Sequence, residues 1–257
     1  MKEEIFVYFI GTAGSGKSTL TANFHDWFEK RGIDTIIVNL DPGAENLPYE
    51  PNVDICDWIS LKEVMDTNEL GPNGAQVACA DMIALNIEDI KKSINSFKSD
   101  YIFIDTPGQL ELFVFRESGK FTVNTLNPNK SIIGYLLDPI LARTASGFVS
   151  QLLLSFTTNF RLNMPQINIL TKTDLLTEKD LEIITKWSEN PDEIYEAIQF
   201  EKASVYREIS ESISRLIQDF GSIIPMVPTS YNRFFGIEDI YSNIQMQFSA
   251  GEDILKD

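Results

Sequence analysis

Short continuous apolar runs alternate with longer amphipathic stretches along this chain. The runs are Ile5–Ile10, Thr35–Leu40, Tyr101–Ile104, Ser131–Leu137, Ile167–Leu170 and Ile223–Val227, each bounded by polar residues or by Gly and Pro. Such runs predict strands buried on both faces. Between them, Ser18–Arg31, Ala142–Asn163 and Ile237–Phe248 carry apolar residues at helical spacing. Strand and helix in alternation predict a mainly parallel sheet with helices on both faces, in a single domain over residues 1–257. Two segments are too long for one crossover helix, 52–98 and 178–220. Both read as mostly helical insertions, the kind that form lids or subunit contacts on a parallel sheet.

Composition narrows the class. With 43% hydrophobic and 23% charged residues, the chain reads as soluble and globular. No apolar run approaches the roughly 20 residues of a membrane span. The start, MKEEIFVYFIGTAG, reads as a first strand rather than a signal peptide, so a cytoplasmic setting is expected. Cys56 and Cys79 lack metal-ligand spacing, and the lone His25 suits an ordinary surface or half-buried role. The formal charge of −17 argues against direct binding of nucleic acid or anionic membranes. A polyphosphate would therefore have to be held by local devices: backbone N–H groups, one or two lysines and a divalent cation.

Such a device is present. Gly11-Thr12-Ala13-Gly14-Ser15-Gly16-Lys17-Ser18 matches G-x-x-x-x-G-K-[ST], after a predicted strand and before a predicted helix that continues through Thr19. Glycines let successive N–H groups curl toward phosphates, and the helix start adds its positive end. Lys17 is expected on the β- and γ-phosphates and the Ser18 hydroxyl on Mg²⁺. Asp105 closes the run Tyr-Ile-Phe-Ile-Asp, where this fold places the acid of the magnesium shell. Asp41 follows another apolar run and points at the same edge. The fold class is thus α/β, a three-layer P-loop NTPase.

The remaining motifs concern hydrolysis and base choice. Asp105-Thr106-Pro107-Gly108-Gln109 follows D-x-x-G-Q, in which Gly108 offers an N–H to the γ-phosphate and Gln109 orients water. Thr171-Lys172-Thr173-Asp174 resembles [NT]-K-x-D. A carboxylate at Asp174 accepts from guanine N1–H and its exocyclic amine together, a donor pair adenine lacks, while the Lys172 stem covers the ring. Thr229 and Ser230, after the last run, sit where backbone contacts to guanine O6 are expected. GTP is therefore expected over ATP. Arg116 is the one arginine near these motifs and reads better as a helix cap or ion-pair partner than as an arginine finger.

The insertion adds Glu69-Leu70-Gly71-Pro72-Asn73-Gly74-Ala75, locally a tight turn opening a helix. Together with GTAGSGKS, NLDPGAENLPYEP (39–51), DTPGQLELF (105–113) and TKTDLL (171–176), it resembles the GPN-loop GTPases, in particular compact archaeal-like members. The resemblance implies a GTP/GDP cycle with Mg²⁺ in a homodimer paired around the nucleotides. It implies that Gly71-Pro72-Asn73 reaches the partner's site in trans and that Asp41 joins the magnesium network. It further implies that Gln109 and Glu111 position the attacking water. Eukaryotic relatives serve assembly and import of RNA polymerase, so a partner protein complex is expected by resemblance only. The alternative is a plain metabolic or maturation NTPase of the same branch. A small-molecule kinase is disfavoured, because 52–98 holds no arginine and a kinase has no use for TKTD.

Overall fold

The computed structural model describes residues 4–200, 225–231 and 234–249. Its strands are β1 Ile5–Gly11, β2 Thr35–Asn39, β3 Val53–Asp54, β4 Tyr101–Asp105, β5 Ser131–Leu137, β6 Gln166–Leu170 and β7 Met226–Pro228. They form one sheet in the order β3-β2-β4-β1-β5-β6-β7, and every pairing is parallel. The helices are α1 Lys17–Glu29, α2 Leu61–Asn68, α3 Pro72–Ile94, α4 Leu110–Phe113, α5 Glu117–Leu126 and α6 Pro139–Ala142. They continue with α7 Ala145–Leu162, α8 Glu178–Glu189, α9 Pro191–Phe200 and α10 Ile237–Ser249.

Every residue of β1, β4, β5 and β6 is buried, as continuous apolar runs require when helices cover both faces. Side-chain alternation sorts them into two layers. Phe6, Tyr8 and Ile10 pack with Ile102, Ile104 and the Ile83, Ile87 and Ile90 stripe of α3. Ile5, Val7 and Phe9 face Phe24, Trp27 and Phe28 of α1 and Ile240 and Ile244 of α10. On that second face Phe24 meets Phe9 edge-on at 5.6 Å and Phe103 at 5.1 Å, an aromatic seat that fixes the helix leaving the phosphate loop.

The structure refines the sequence reading in three places and bears on a fourth in part. The segment 52–98 opens with an edge strand, Val53 pairing with Val38, which is too short for periodicity to reveal. Its helices are divided at Glu69, whose left-handed φ of 52° ends α2, and α3 restarts with Gly71 as N-cap and Pro72 in its first turn. The stretch Ala142–Asn163 also divides, because Thr144 accepts from Gly147 N at 3.1 Å and starts a new helix. In 178–220 two helices run to Phe200; residues 201–220, and 223–224 of the sixth predicted strand, lie outside the described residues.

Strand register aligns the site. Asp105 sits level with Phe9 on one side and Asn39 on the other, and Leu170 lies between Leu137 and Pro228. The loops after β1, β2, β4, β6 and β7 therefore open at one edge, on either side of the central β1 where the strand order reverses.

Candidate functional site

The phosphate loop leaves β1 at Gly11 and enters α1 at Lys17. Gly14 and Gly16 take φ of 75° and 98°, conformations that a side chain disfavours and that turn the loop back on itself. Lys17 is buried at 6% exposure, its Nζ donating to the carbonyls of Gly11 at 3.2 Å and Thr12 at 3.1 Å. Burial lowers its pKa, while the charges of Asp105 and Asp41 hold it up and that of Lys172 lowers it further. Its ammonium is thus kept inside the loop, poised for anionic oxygen.

Asp105 is 1% exposed at the end of β4. Its Oδ2 accepts from the Tyr49 hydroxyl at 2.7 Å, and the Ser18 hydroxyl stands beside the carboxyl. Burial raises its pKa; the Ser18 and Tyr49 hydrogen bonds and the Lys17 charge oppose that, and Asp41 adds to it. Oδ1 nonetheless has no hydrogen-bond partner. A buried carboxylate oxygen left unpaired beside a serine hydroxyl is the donor set a hard divalent cation takes in this setting. Among the described residues no three Asp, Glu, His or Cys gather into a full metal cage. Mg²⁺ needs none, since phosphate oxygens and water complete its shell. The residues present fit Mg²⁺: Ser18 as ligand, Asp105 behind it, Asp41 contributing charge.

Asp41 lies two residues beyond β2 rather than at its end, and is fixed by Asn39. The buried Asn39 amide donates to Asp41 O at 3.2 Å and Asp54 Oδ1 at 2.9 Å, and its oxygen accepts from Asp41 N at 3.0 Å. Asp41 Oδ1 accepts from Gly43 N at 2.9 Å. Asn39, Tyr49 and Asp54 were missed as site residues by sequence reasoning, although Asn39 and Tyr49 lie within the quoted 39–51 segment. Asn39 reaches Asp41 across two residues, but no local spacing connects Tyr49 to Asp105 or Asp54 to Asn39.

A cavity of about 190 Å³ opens beside the loop, lined by Ala13, Asp41, Gly43, Gln76, Gly108 and Gln109 among others. Thr106 anchors the turn beneath it by donating to Phe9 O at 2.7 Å. Gln109 Nε2 donates to Gln76 Oε1 of α3 at 2.7 Å. Glu111 is exposed on α4 and is not among the cavity walls. Gly71, Pro72 and Asn73 are likewise exposed at the start of α3, whose contributions to the cavity are Gln76 and Ala80. Arg116 is bound bidentately to Asp81 of α3, Nε to Oδ1 at 3.0 Å and Nη2 to Oδ2 at 2.5 Å.

The opposite side of the loop is a groove lined by Gly16, Thr19, Asn23, Lys172, Thr229 and Ser230 with their neighbours. Thr171 Oγ1 donates to Ser15 O at 2.7 Å, and Lys172 Nζ donates to Gly14 O. Lys172 takes a left-handed φ of 50°, and Thr173 bonds Thr229 O through both N and Oγ1 at 3.0 Å. Ser230 Oγ donates to Asp174 Oδ1 at 3.0 Å, which aims the carboxylate. The groove therefore presents the Lys172 side chain, and the Asp174 carboxylate is tied to Ser230 of its wall.

Comparison with known proteins agrees with this geometry. The model of a family described as conserved hypothetical ATP binding protein matches residues 9–250. GPN-loop GTPase 3 of Saccharomyces cerevisiae is 32% identical, over 96% of this chain and 94% of that protein. GPN-loop GTPase 3 of Eremothecium gossypii is 33% identical, over 84% of this chain and 82% of that protein. A GTPase in apo form from Pyrococcus abyssi superposes with a TM-score of 0.85 at 28% identity, covering 95% of this chain and 97% of that one. The chain belongs to the GPN-loop GTPase family.

Proposed function

We propose that this GPN-loop GTPase is a Mg²⁺-dependent, nucleotide-gated homodimer that acts in assembling a partner protein complex in the cytoplasm. Binding and hydrolysis of GTP follow from family membership and from the groove beside Lys172. The matching family description names ATP, whereas the relatives' names say GTPase. The Asp174 carboxylate decides for guanine, because it can accept from two ring donors that adenine lacks.

In this reading Lys17 and the loop amides bind the β- and γ-phosphates, Ser18 ligates Mg²⁺, and Asp41 and Asp105 order its shell. Magnesium neutralises charge on the phosphate oxygens. The Gly108 N–H faces the γ-phosphate, and Gln109 orients water in the cavity it lines. Glu111 would need movement of α4 to share that role.

The single observation that supports pairing is a shortage of positive charge in the cavity. Among the described residues Arg31 lies over the Trp27 ring, Arg116 on Asp81, Arg143 against Asp180 and Arg161 on Glu117. None is available to the γ-phosphate, while the exposed Asn73 stands on the rim helix, facing outward where a second copy can use it. Asn73 of the partner would then donate to the transferring phosphoryl group.

Subunit mixing tests this. Asn73→Ala and Gln109→Ala should each lower hydrolysis about 10²-fold with GTP still bound, as loss of one transition-state donor does. Mixed in equal amounts, they should recover about a quarter of the wild-type rate, since half the dimers then carry one intact composite site. No recovery on mixing would sink the trans role.

A further inference from the structure

Gln76 belongs to the same helix as the exposed Gly-Pro-Asn turn, one turn after Asn73, but it serves its own subunit. Its neighbours Ala75, Cys79, Ile83 and Ile87 are fully buried, so the backbone beneath it is held against the sheet. Gln109, by contrast, sits at the N-cap of the four-residue α4 with an extended backbone and makes no capping bond with its side chain. Its one fixed attachment is the 2.7 Å hydrogen bond to Gln76 Oε1, and both residues line the cavity beside Ala13, Asp41 and Gly108.

A glutamine amide can present either its NH₂ or its oxygen to a water molecule, and only the oxygen accepts a hydrogen bond from an attacking water. We infer that Gln76 is a positioning residue for hydrolysis: by accepting from Gln109 Nε2, it turns Gln109 Oε1 toward the cavity as the acceptor for water. The inference rests on the reading of Gln109 as the water-orienting residue. A single net hydrogen bond between amides biases such an equilibrium roughly two- to tenfold. Without it the two orientations are about equally populated, so the productive fraction, and the rate with it, falls about 1.3- to twofold. The arrangement also gives α3 two duties, Gln76 inward to its own subunit and Asn73 outward.

The test is Gln76→Leu, with Gln76→Met as a second variant of similar length, each in the wild-type and the Gln109→Ala background. Hydrolysis at saturating GTP and KM are measured separately on the full chain with Mg²⁺. Both substitutions should lower kcat about 1.3- to twofold with KM unchanged, and should have no further effect once Gln109 is alanine. A role in folding alone would lower the rate equally in both backgrounds. That result, or an unchanged or raised kcat in Gln76→Leu, overturns the inference. A wild-type rate in Gln109→Ala removes the water-orienting reading and this inference with it. A loss there, with none in Gln76→Leu, removes the inference alone.

Discussion

Between Gly11 and Ser18 the phosphate loop is fastened from within and behind: Lys17 on two of its own carbonyls, Thr171 on Ser15 O, Lys172 on Gly14 O. In the opposite wall Asp41 is fixed by Asn39 and Gly43, but the glutamines Gln76 and Gln109 are held less firmly. Gln109 depends on one exposed side-chain pair, and the Gly-Pro-Asn turn beside it is open to solvent. The fastened half has its two lysines held on backbone carbonyls before ligand arrives, the preorganisation a binding cradle needs. In the proposed mechanism the open half carries the groups that act on a changing phosphoryl group. On that reading the cradle is built into one chain, and a second copy completes the hydrolytic face.

The strongest way to break the contrast is to remove the one group that serves both halves. Lys17→Ala should cut hydrolysis about 10²–10³-fold and weaken GTP binding as well, read by turnover and by calorimetry. If binding survived intact, the loop amides alone would carry the phosphates. Asp105→Asn should separate the halves. Hydrolysis should fall about 10²-fold, whereas the ligand-free protein should melt at a higher temperature.

The sign of that gain follows from the raised pKa of Asp105, which burial causes. An ionised carboxyl there costs the folded state stability, absent at pH below the ordinary carboxylate range. The cost grows as pH rises through that range and is full above Asp105's own higher value. The melting gain should therefore vanish in acid and be complete above Asp105's own raised value. A gain independent of pH would mean that some other contact is responsible.

Two smaller effects sharpen the base side. Asp174→Asn should weaken GTP about 10- to 100-fold and favour xanthosine triphosphate, as loss of charge-assisted hydrogen bonds does. Equal affinity for GTP before and after would remove the guanine assignment. Thr171→Val keeps the shape but leaves Ser15 O without its donor. It should weaken binding about three- to tenfold and leave kcat nearly unchanged, because it loosens the cradle and not the open wall.

The sequence by itself determined the elements whose signal is local. Apolar runs marked β1, β2, β4, β5 and β6, and G-x-x-x-x-G-K-S marked the loop because its chemistry needs neighbouring backbone amides in fixed spacing. D-x-x-G-Q and T-K-x-D were readable for the same reason. Only the tertiary structure decided what depends on groups far apart in the chain. Strand register set Asn39 beside Asp105, a long loop returned Tyr49 to the Asp105 carboxylate, and α3 brought Gln76 across to Gln109. No period or motif encodes these meetings. A hydrogen bond between residues 33 or 56 positions apart exists only once the sheet has closed the intervening chain. The edge strand β3 escaped notice for a related reason: two residues carry no pattern, and Val53–Asp54 become a strand only because β2 offers them a partner.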